Sequence, residues 1–269
     1  MKVEVAVVPA AGRGTRMLPA TRSVPKSFLP LVDRPALQWV VEEGRRAGVT
    51  EFYVIVDPGL GDLVVGHFDR LDGFDDVRIV PVTQQSPRGL GDAVATAADV
   101  VDGRPFFCML ADNLVRPGHD VLAPMADASD GRSVFLLREL DDVGLERYGV
   151  VVAGDRLGDR VVEVRGAVEK PGAADAPSRL GFVGRYLFTA DVFEALDGLE
   201  PGYGGEVQLT DAIAAMATAG PCLGYVDDAD LLDIGNPAGF AEAGAALALA
   251  DHDIGTEVRR RLHDLLDAE

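Results

Sequence analysis

The sequence predicts an α/β fold built on a doubly wound, mostly parallel β-sheet. Short apolar runs typical of buried strands alternate with amphipathic helical patterns in the N-terminal half. A glycine-rich loop follows the first apolar run, at the position where sheets of this kind bind ligands. Of the 269 residues, 48% are hydrophobic, which is enough for a large core. The predicted elements of this half are strands at 3–8, 52–56, 77–82 and 105–111, with helices at 36–47 and 60–71 and a third helix that opens within 84–93 and runs toward Val101.

The first helix shows how these assignments are made. Leu37, Val40 and Val41 recur at helical spacing between charged residues, and Gly48 marks the end of the pattern. The strands are continuous apolar runs, as expected for strands that are buried in a parallel sheet.

From about Arg116 onward the pattern changes to shorter runs. The predicted strands there are 133–137, 148–152, 160–164 and 181–188, and the predicted helices are 121–126, 205–216, 237–250 and 254–266. The last helix carries an apolar stripe, which is typical of core packing or of a subunit contact. Because there is no repeat, low-complexity linker or clean boundary, we expect a single domain covering 1–269.

Charge and composition exclude several functions. The net charge is −19, so nucleic acid and anionic membranes are not expected as partners. No apolar run approaches the ~20 residues of a membrane span, and the N-terminus does not resemble a signal peptide, so we expect a cytoplasmic protein. Cys108 and Cys222 lie far apart without a CxxC pattern, and the four histidines show no ligand spacing.

Residues 7–30 form the segment with the clearest chemical signature. Glycines let backbone N–H groups surround an anion, while Arg13, Arg16 and Lys26 add positive charge. The P-loop pattern is absent, and a dinucleotide fingerprint fails because Met17 occupies its third glycine position. Three prolines delay the next helix to about Pro35. The segment therefore predicts a polyphosphate-binding loop.

This loop matches the pattern GxGTRxxPxTxxxPKxxLP at every fixed position, and it resembles the sugar-1-phosphate nucleotidylyltransferases. The segments GTRMLPAT, LPLVDRP and EVQLTDAI are most similar to the uridylyltransferase branch of that family. The resemblance implies a Rossmann-like, GT-A-like nucleotidyltransferase sheet with a small β-rich sugar-binding part and C-terminal helices. It implies transfer of a uridylyl group from UTP to glucose 1-phosphate, with Mg²⁺, giving UDP-glucose and pyrophosphate.

The resemblance also implies parts of the domain and roles for individual residues. The parts are a nucleotide-binding half (about 1–115), a sugar-binding half (116–235) and a helical tail (236–269). The implied site consists of Arg16, Lys26, Lys170 and Asp112 as catalytic residues, Ala11, Gly12, Gly14, Thr15, Gln84 and Gly89 for the nucleotide, Gly149, Glu169 and Lys170 for the sugar, and Asp112 and Asp233 for the metal. A homo-oligomer, dimer or tetramer, is expected.

Taken alone, several of these residues have plainer interpretations. Gln84 offers one acceptor and two donors to a pyrimidine edge, but QQSPRGLGDA is also a helix entry capped by Ser86. Asp112 at a strand end suits Mg²⁺ or a turn cap. Glu169 and Lys170 are otherwise a charged pair before a proline.

Three alternative functions stay open at this point. Asn113 after Asp112, together with the compact connection from the helix at 60–71 to the strand at 77–82, favours the thymidylyltransferase branch and dTTP, and a glutamine amide can flip to suit cytosine. The tetrad RGLG replaces the KGLG of the uridylyl branch, and Ser27 follows the loop lysine where the family usually has an acid. A nucleotide-sugar glycosyltransferase would not need the loop, and a non-catalytic sensor would be expected to lack Lys26 or Asp112.

Overall fold

The computed structural model describes residues 1–229 and 231–267. Within those residues the chain forms 13 strands, named here in chain order. They are β1 (Val5–Pro9), β2 (Pro30–Leu31), β3 (Arg34–Pro35), β4 (Glu51–Val56), β5 (Arg78–Thr83), β6 (Phe106–Met109), β7 (Asn113–Val115), β8 (Val134–Glu139), β9 (Gly149–Arg156), β10 (Val161–Glu169), β11 (Leu180–Phe188), β12 (Cys222–Val226) and β13 (Leu231–Asp233).

Eleven α-helices lie in the same described residues. They are α1 (Ala36–Arg46), α2 (Gly61–Phe68), α3 (Leu90–Ala95), α4 (Ala98–Val101), α5 (Leu122–Ala128), α6 (Asp142–Leu145), α7 (Gly172–Asp175), α8 (Asp191–Leu196), α9 (Leu209–Ala219), α10 (Pro237–Ala250) and α11 (Gly255–Leu266). Throughout these ranges, no helix combines the length and apolar character that crossing a membrane requires.

Nine strands form one sheet in the order β5-β4-β1-β6-β11-β8-β12-β10-β9. The first four are parallel to one another, so their carboxyl ends meet at one edge. From β11 onward the directions are mixed: β11 is antiparallel to β6 and β8, and β12 is parallel to β8 but antiparallel to β10. The predicted α/β fold is confirmed, with the parallel part in the N-terminal half and the β-rich part continuing the same sheet.

Local end signals explain the helices that match the prediction best. α10 covers the predicted residues 237–250, because Pro237 occupies its first turn and the Asn236 side chain accepts a hydrogen bond from the Gly239 amide at 3.0 Å. The helix expected to run from the RGLG turn toward Val101 is instead two short helices, α3 and α4. Gly89, rather than Ser86, precedes the first of them.

The chain divides into two compact units, neither of which is continuous in sequence. The first unit contains residues 1–12, 41–110 and 120–228, and thus the whole nine-stranded sheet. The second unit contains residues 13–40, 111–119 and those from 229 onward. It includes the antiparallel pairs β2 with β3 and β7 with β13, together with α10 and α11. The single domain with parts at about 1–115, 116–235 and 236–269 stays a prediction.

The core of the first unit is built on strands β6, β8 and β11. The aromatic rings of Phe106, Phe135, Tyr186 and Phe188 pack there with centroids 5.6–6.2 Å apart. These rings are all at most 6% exposed, so their burial holds β6, β8 and β11 together in the middle of the sheet.

Candidate active site

The loop after β1 belongs to the second unit from Arg13 onward and contains three single turns of 3-10 helix, at 15–17, 20–22 and 26–28. No longer helix forms before Ala36, as its prolines predict. Gly14 has a φ of +59°, and a Cβ there would lie 2.8 Å from Cγ2 of Thr21. The Thr21 hydroxyl also donates to the Gly14 carbonyl at 2.8 Å. Glycine is therefore required at residue 14 to close the loop.

Lys26 and Asp112 lie together in this unit, although 86 positions separate them in sequence. The Lys26 Nζ is 2.5 Å from Oδ2 of Asp112, and the two side chains are 15% and 27% exposed. The structure thus joins two predicted catalytic residues in one ion pair. The Lys26 ammonium therefore neutralises the Asp112 carboxylate through a charge-assisted hydrogen bond.

Asp233 is brought to the same part of the second unit by the pairing of β7 with β13. It lies opposite Asn113, and the Ile234 amide donates to the Asp112 carbonyl at 2.9 Å. Its Oδ1 accepts a hydrogen bond from the Gly235 amide at 2.7 Å. The two predicted metal ligands therefore lie on hydrogen-bonded neighbouring segments.

Arg16 approaches the Asp233 carboxylate at Gly235. A Cβ added to Gly235 would lie 2.8 Å from Oδ1 of Asp233 and 2.9 Å from Nη2 of Arg16. The missing side chain at residue 235 thus leaves room for both groups. The main-chain bond from Ile234 to Asp112 links this pair to the ion pair of Lys26 and Asp112, and the four residues are called the cluster below.

The residues of this cluster fit a divalent ion that is shared with a substrate. Mg²⁺ prefers hard oxygen ligands and is usually held by one or two carboxylates together with water and phosphate oxygens. Asp112 and Asp233 supply two carboxylates. Across residues 1–229 and 231–267, no group of three or more His, Cys, Asp or Glu side chains could hold a metal ion by itself. Water or phosphate oxygens would complete the coordination of a metal ion held by these two carboxylates.

Gln84 follows β5 in the first unit, at the sheet edge where β1 also ends. Its side chain is 3% exposed, and its Nε2 donates to Oδ2 of Asp92 at 2.6 Å and to the Gly89 carbonyl at 3.4 Å. Of the other predicted nucleotide residues, Ala11 is buried, while Gly12 and Thr15 are exposed.

The RGLG turn at 88–91 is fastened to the segment before α9. The Val207 amide donates to the Arg88 carbonyl at 2.7 Å, and the Val207 carbonyl accepts from the Gly91 amide at 2.9 Å. Gly89 has a φ of +122°, and a Cβ there would lie 2.5 Å from the Val207 carbonyl oxygen. Packing against Val207 therefore requires glycine at 89, while contact with a nucleotide base stays a prediction.

The three predicted sugar-binding residues come together at the pairing of β9 with β10. Gly149 lies opposite Glu169, and a Cβ on Gly149 would lie 3.1 Å from Oε2 of Glu169. Lys170 Nζ is 2.8 Å from Oε1 of the same carboxylate. Lys170 also has a φ of +46°, a left-handed conformation that non-glycine residues seldom adopt and that recurs at functional sites.

Three residues that sequence reasoning did not single out surround this group. The Thr210 hydroxyl donates to Oε2 of Glu169 at 2.6 Å, and the Tyr203 ring centroid lies 5.1 Å from Nζ of Lys170. Burial, and secondarily the charge of Glu169, raises the pKa of Asp211. The motif EVQLTDAI contains two of these residues, and its resemblance to the family implied a helix that packs against the sugar pocket and shapes it, without a role for either side chain.

The chain is similar to proteins of one known family. Residues 5–249 match the nucleotidyl transferase family. A relative from Staphylococcus saprophyticus, named UTP–glucose-1-phosphate uridylyltransferase 2, is 34% identical over 279 aligned positions, covering 96% of both chains. A solved UDP-glucose pyrophosphorylase from Acinetobacter baumannii superposes with a TM-score of 0.87 at 30% identity, covering 98% of this chain and 100% of the other.

A second solved structure, a UDP-glucose pyrophosphorylase in complex with UDP-glucose, gives a TM-score of 0.85 at 31% identity. It covers 91% of this chain and 98% of that one. The family match spans most of the sequence, and the relatives are matched along nearly their whole length. These matches establish that the chain belongs to the nucleotidyl transferase family.

Proposed function

We propose that this protein transfers a uridylyl group from UTP to glucose 1-phosphate, producing UDP-glucose and pyrophosphate. The observation that carries the proposal is the cluster of Arg16, Lys26, Asp112 and Asp233 in a chain whose full-length relatives bear the name of that activity. The reaction brings two polyanions together, so its main requirements are charge neutralisation and positioning.

The phosphate chemistry is assigned to the cluster of the second unit. An oxygen of the sugar phosphate attacks the α-phosphorus of UTP, and the bond to the β-phosphate breaks, so that pyrophosphate leaves with the electron pair. The attacking phosphate is already ionised, so no general base is needed. Arg16 and Lys26 stabilise the leaving pyrophosphate, and Lys26 exchanges its contact with Asp112 for phosphate oxygens.

Nucleotidyl transferases of this kind generally use a divalent metal ion. We propose that the ion is Mg²⁺ and that Asp112 and Asp233 hold it. When bound, the ion would neutralise part of the negative charge of the phosphate groups.

The sugar phosphate is assigned to residues of the first unit. We propose that the Gly149 backbone and the Glu169 carboxylate bind sugar hydroxyls, while Lys170 binds the attacking phosphate. The support is their contact geometry: Glu169 is held by Thr210 on one oxygen and by Lys170 on the other. A carboxylate held on both oxygens is oriented before the sugar arrives, which reduces the ordering cost of binding.

A panel assay tests the proposal. The purified protein is incubated with Mg²⁺, each of five common nucleoside triphosphates and a set of sugar 1-phosphates, and pyrophosphate release is measured. We expect UTP with glucose 1-phosphate to turn over fastest. Absence of pyrophosphate from every pair would contradict the proposal.

Thymidylyl transfer from dTTP is the second candidate, and Asn113 is the observation that favours it. Uracil and thymine present the same hydrogen-bonding groups at N3 and O4 and differ by one methyl group, worth only ~1–3 kcal/mol in a pocket. In the panel assay, a preference for dTTP by about 10-fold or more would decide for this candidate.

The proposed reaction bears on where the protein acts, and the exposed surface of α11 bears on how it assembles. UTP and sugar phosphates are multiply charged and do not cross membranes unaided, so we place the enzyme in the cytoplasm. We also propose a homo-oligomer, a dimer or a tetramer, because Leu265 and Leu266 of α11 are 66% and 74% exposed. Sedimentation of the purified protein, compared with a Leu265→Glu variant, measures the oligomeric state.

A further inference from the structure

We propose that Asp92 is a specificity-determining residue: it holds the Gln84 side-chain amide in one orientation, so that the protein accepts uracil and thymine but rejects cytosine. The inference rests on the proposed function for the assumption that Gln84 meets the base. It goes beyond that function because it assigns the choice of base to a residue that does not touch the nucleotide.

The orientation of the Gln84 amide follows from its two partners. Oδ2 of Asp92 lies 2.6 Å from one end of the amide, and the Gly89 carbonyl oxygen lies 3.4 Å from the same end. Both partners are acceptors, so only the NH₂ group of the glutamine can satisfy them. A flipped amide would place two oxygens against each other. The amide nitrogen therefore points inward.

The other end of the amide is consequently the oxygen Oε1. In the part of the chain that the structure describes, no group donates a hydrogen bond to it, and no buried side-chain nitrogen or oxygen lacks a partner. Oε1 therefore keeps some exposure to solvent, although Gln84 as a whole is only 3% exposed. Gln84 presents an acceptor, and only an acceptor, at the edge where β5 and β1 end.

Arg88 keeps Asp92 in place. Its Nε and Nη2 lie 3.0 Å and 2.5 Å from Oδ1 of Asp92, so each carboxylate oxygen has its own donor. The Asp92 side chain is 11% exposed, whereas that of Arg88 is 71% exposed. Asp92 is thus the fixed element of the arrangement, and Arg88 supports it from the surface.

The base preference follows from the hydrogen-bonding edge of each pyrimidine. Uracil and thymine carry an N–H at N3, which can donate to Oε1 of Gln84. Cytosine carries a lone pair at N3, which faces the oxygen lone pairs of Oε1 in the same pose. A site built to receive a donor rejects an analogue that lacks it, because its polar atoms are then left unpaired. The 5-methyl group of thymine lies away from N3, so Asp92 does not separate UTP from dTTP.

Asp92→Asn tests this assignment. Since Arg88 can only donate, the new amide should turn its oxygen toward Arg88 and its NH₂ toward Gln84, which favours the flipped glutamine. We expect the ratio of kcat/KM for UTP to that for CTP to fall by about 10-fold or more. We expect the UTP to dTTP ratio to stay within about 2-fold of the wild type. General damage to the fold would lower all three values together.

Two further variants complete the test. Asp99→Asn makes the same chemical change at an exposed position of α4 and should leave both ratios unchanged. Arg88→Gln removes the charged group that donates to Oδ1 of Asp92. It should lower the UTP to CTP ratio in the same direction as Asp92→Asn but by less. This variant provides the measurement if Asp92→Asn does not fold.

Calorimetric titration of UTP, dTTP and CTP without sugar phosphate separates this inference from the proposed function. If the wild type releases no pyrophosphate but binds UTP and dTTP more tightly than CTP, and Asp92→Asn reduces that difference, the proposed function fails and the inference stands. If the folded variant keeps the wild-type UTP to CTP ratio, in turnover and in binding, the inference is wrong.

Discussion

Arg185 of β11 and Glu43 of α1 form a two-point ion pair inside the first unit. Nε and Nη2 of Arg185 lie 2.8 Å and 2.7 Å from the two oxygens of Glu43, and the residues are 0% and 8% exposed. Nη1 donates to the carbonyls of Gly184 at 2.8 Å and Leu110 at 3.2 Å. Because Leu110 comes just after β6 and two residues before Asp112, this buried pair fixes the chain where it leaves the sheet.

Glu43→Gln should lower the free energy of unfolding by about 3 kcal/mol or more, because it leaves the Arg185 charge buried without a counter-charge. Urea unfolding followed by circular dichroism measures the loss. Glu42→Gln, at the neighbouring half-buried position of α1, should cost about 1 kcal/mol or less. Equal losses of unfolding free energy in the two variants would show that the buried ion pair contributes no more to stability than an ordinary surface carboxylate.

Asp112→Asn should reduce turnover by about 100-fold or more, because a hard cation loses a charged oxygen ligand. The melting temperature should change little, since Asp112 is partly exposed. Turnover measured across a Mg²⁺ titration gives the result, with the exposed Asp127→Asn as control. If Asp112→Asn kept wild-type kinetics and Mg²⁺ dependence, Asp112 would have only a capping role.

The two site lysines should affect different substrates. Lys170→Ala should raise KM for glucose 1-phosphate by about 10-fold or more while UTP binding is unchanged. Lys26→Ala should mainly lower kcat, because the charge of the leaving pyrophosphate develops in the transition state. Arginine should rescue neither site, since a planar guanidinium does not fit the space of an ammonium. Kinetics and UTP calorimetry are run with Lys2→Ala as control, and loss of UTP binding in Lys170→Ala would reverse the assignment.

Thr210→Val should raise KM for glucose 1-phosphate by about 10-fold, because it removes one hydrogen bond that orients Glu169 without changing the side-chain volume. Thr218→Val is a matched control on the same helix, where the exposed hydroxyl bonds only to the Ala214 carbonyl. KM for UTP should be unchanged in both variants. Equal effects of the two substitutions on glucose 1-phosphate would remove Thr210 from the site.

Glu51 makes the free energy of unfolding depend on pH in the acid range. Hydrogen bonds from Arg104 and then Tyr53 lower the pKa of Glu51 to about 2. Because the folded pKa lies below the unfolded one, the stabilisation is complete above an ordinary carboxyl pKa and is lost as the pH falls toward 2. Glu51→Gln should therefore cost about 1 kcal/mol at neutral pH and progressively less below about pH 4.5. A cost that did not vary with pH in thermal unfolding would contradict this assignment.

Local patterns were sufficient to predict much of the fold. The helix at Ala36 was predicted because its apolar spacing and its end signal lie within a few residues of each other, and the helix at Pro237 because its sequence is rich in alanine. The loop was predicted because its glycines, prolines and cations are contiguous. Asp112 and Glu169 needed the family resemblance, since neither differs in sequence from a capping or surface carboxylate.

Pairings between distant segments could not be predicted in the same way. Nothing near Arg185 in the sequence indicates that this arginine is buried, because its partner Glu43 lies 142 positions away. Similarly, Asp92 resembles an ordinary first-turn acid of a helix, and its contact with Gln84 depends on how the RGLG turn folds back onto β5. The continuation of the sheet depends on β12, which inserts between β8 and β10 although both come much earlier in the chain.

Val207 joins the turn beside Gln84 to the start of α9, which carries Thr210. It does so through two main-chain hydrogen bonds and through a side chain that is buried in the core and lies against Gly91. A change of loop length on either side of Val207 would therefore shift both segments at once. Attempts to graft the RGLG turn of another transferase into this chain should exchange residues 206–210 in the same step, because one stretch of backbone positions both the turn proposed to meet the base and the threonine proposed to orient Glu169.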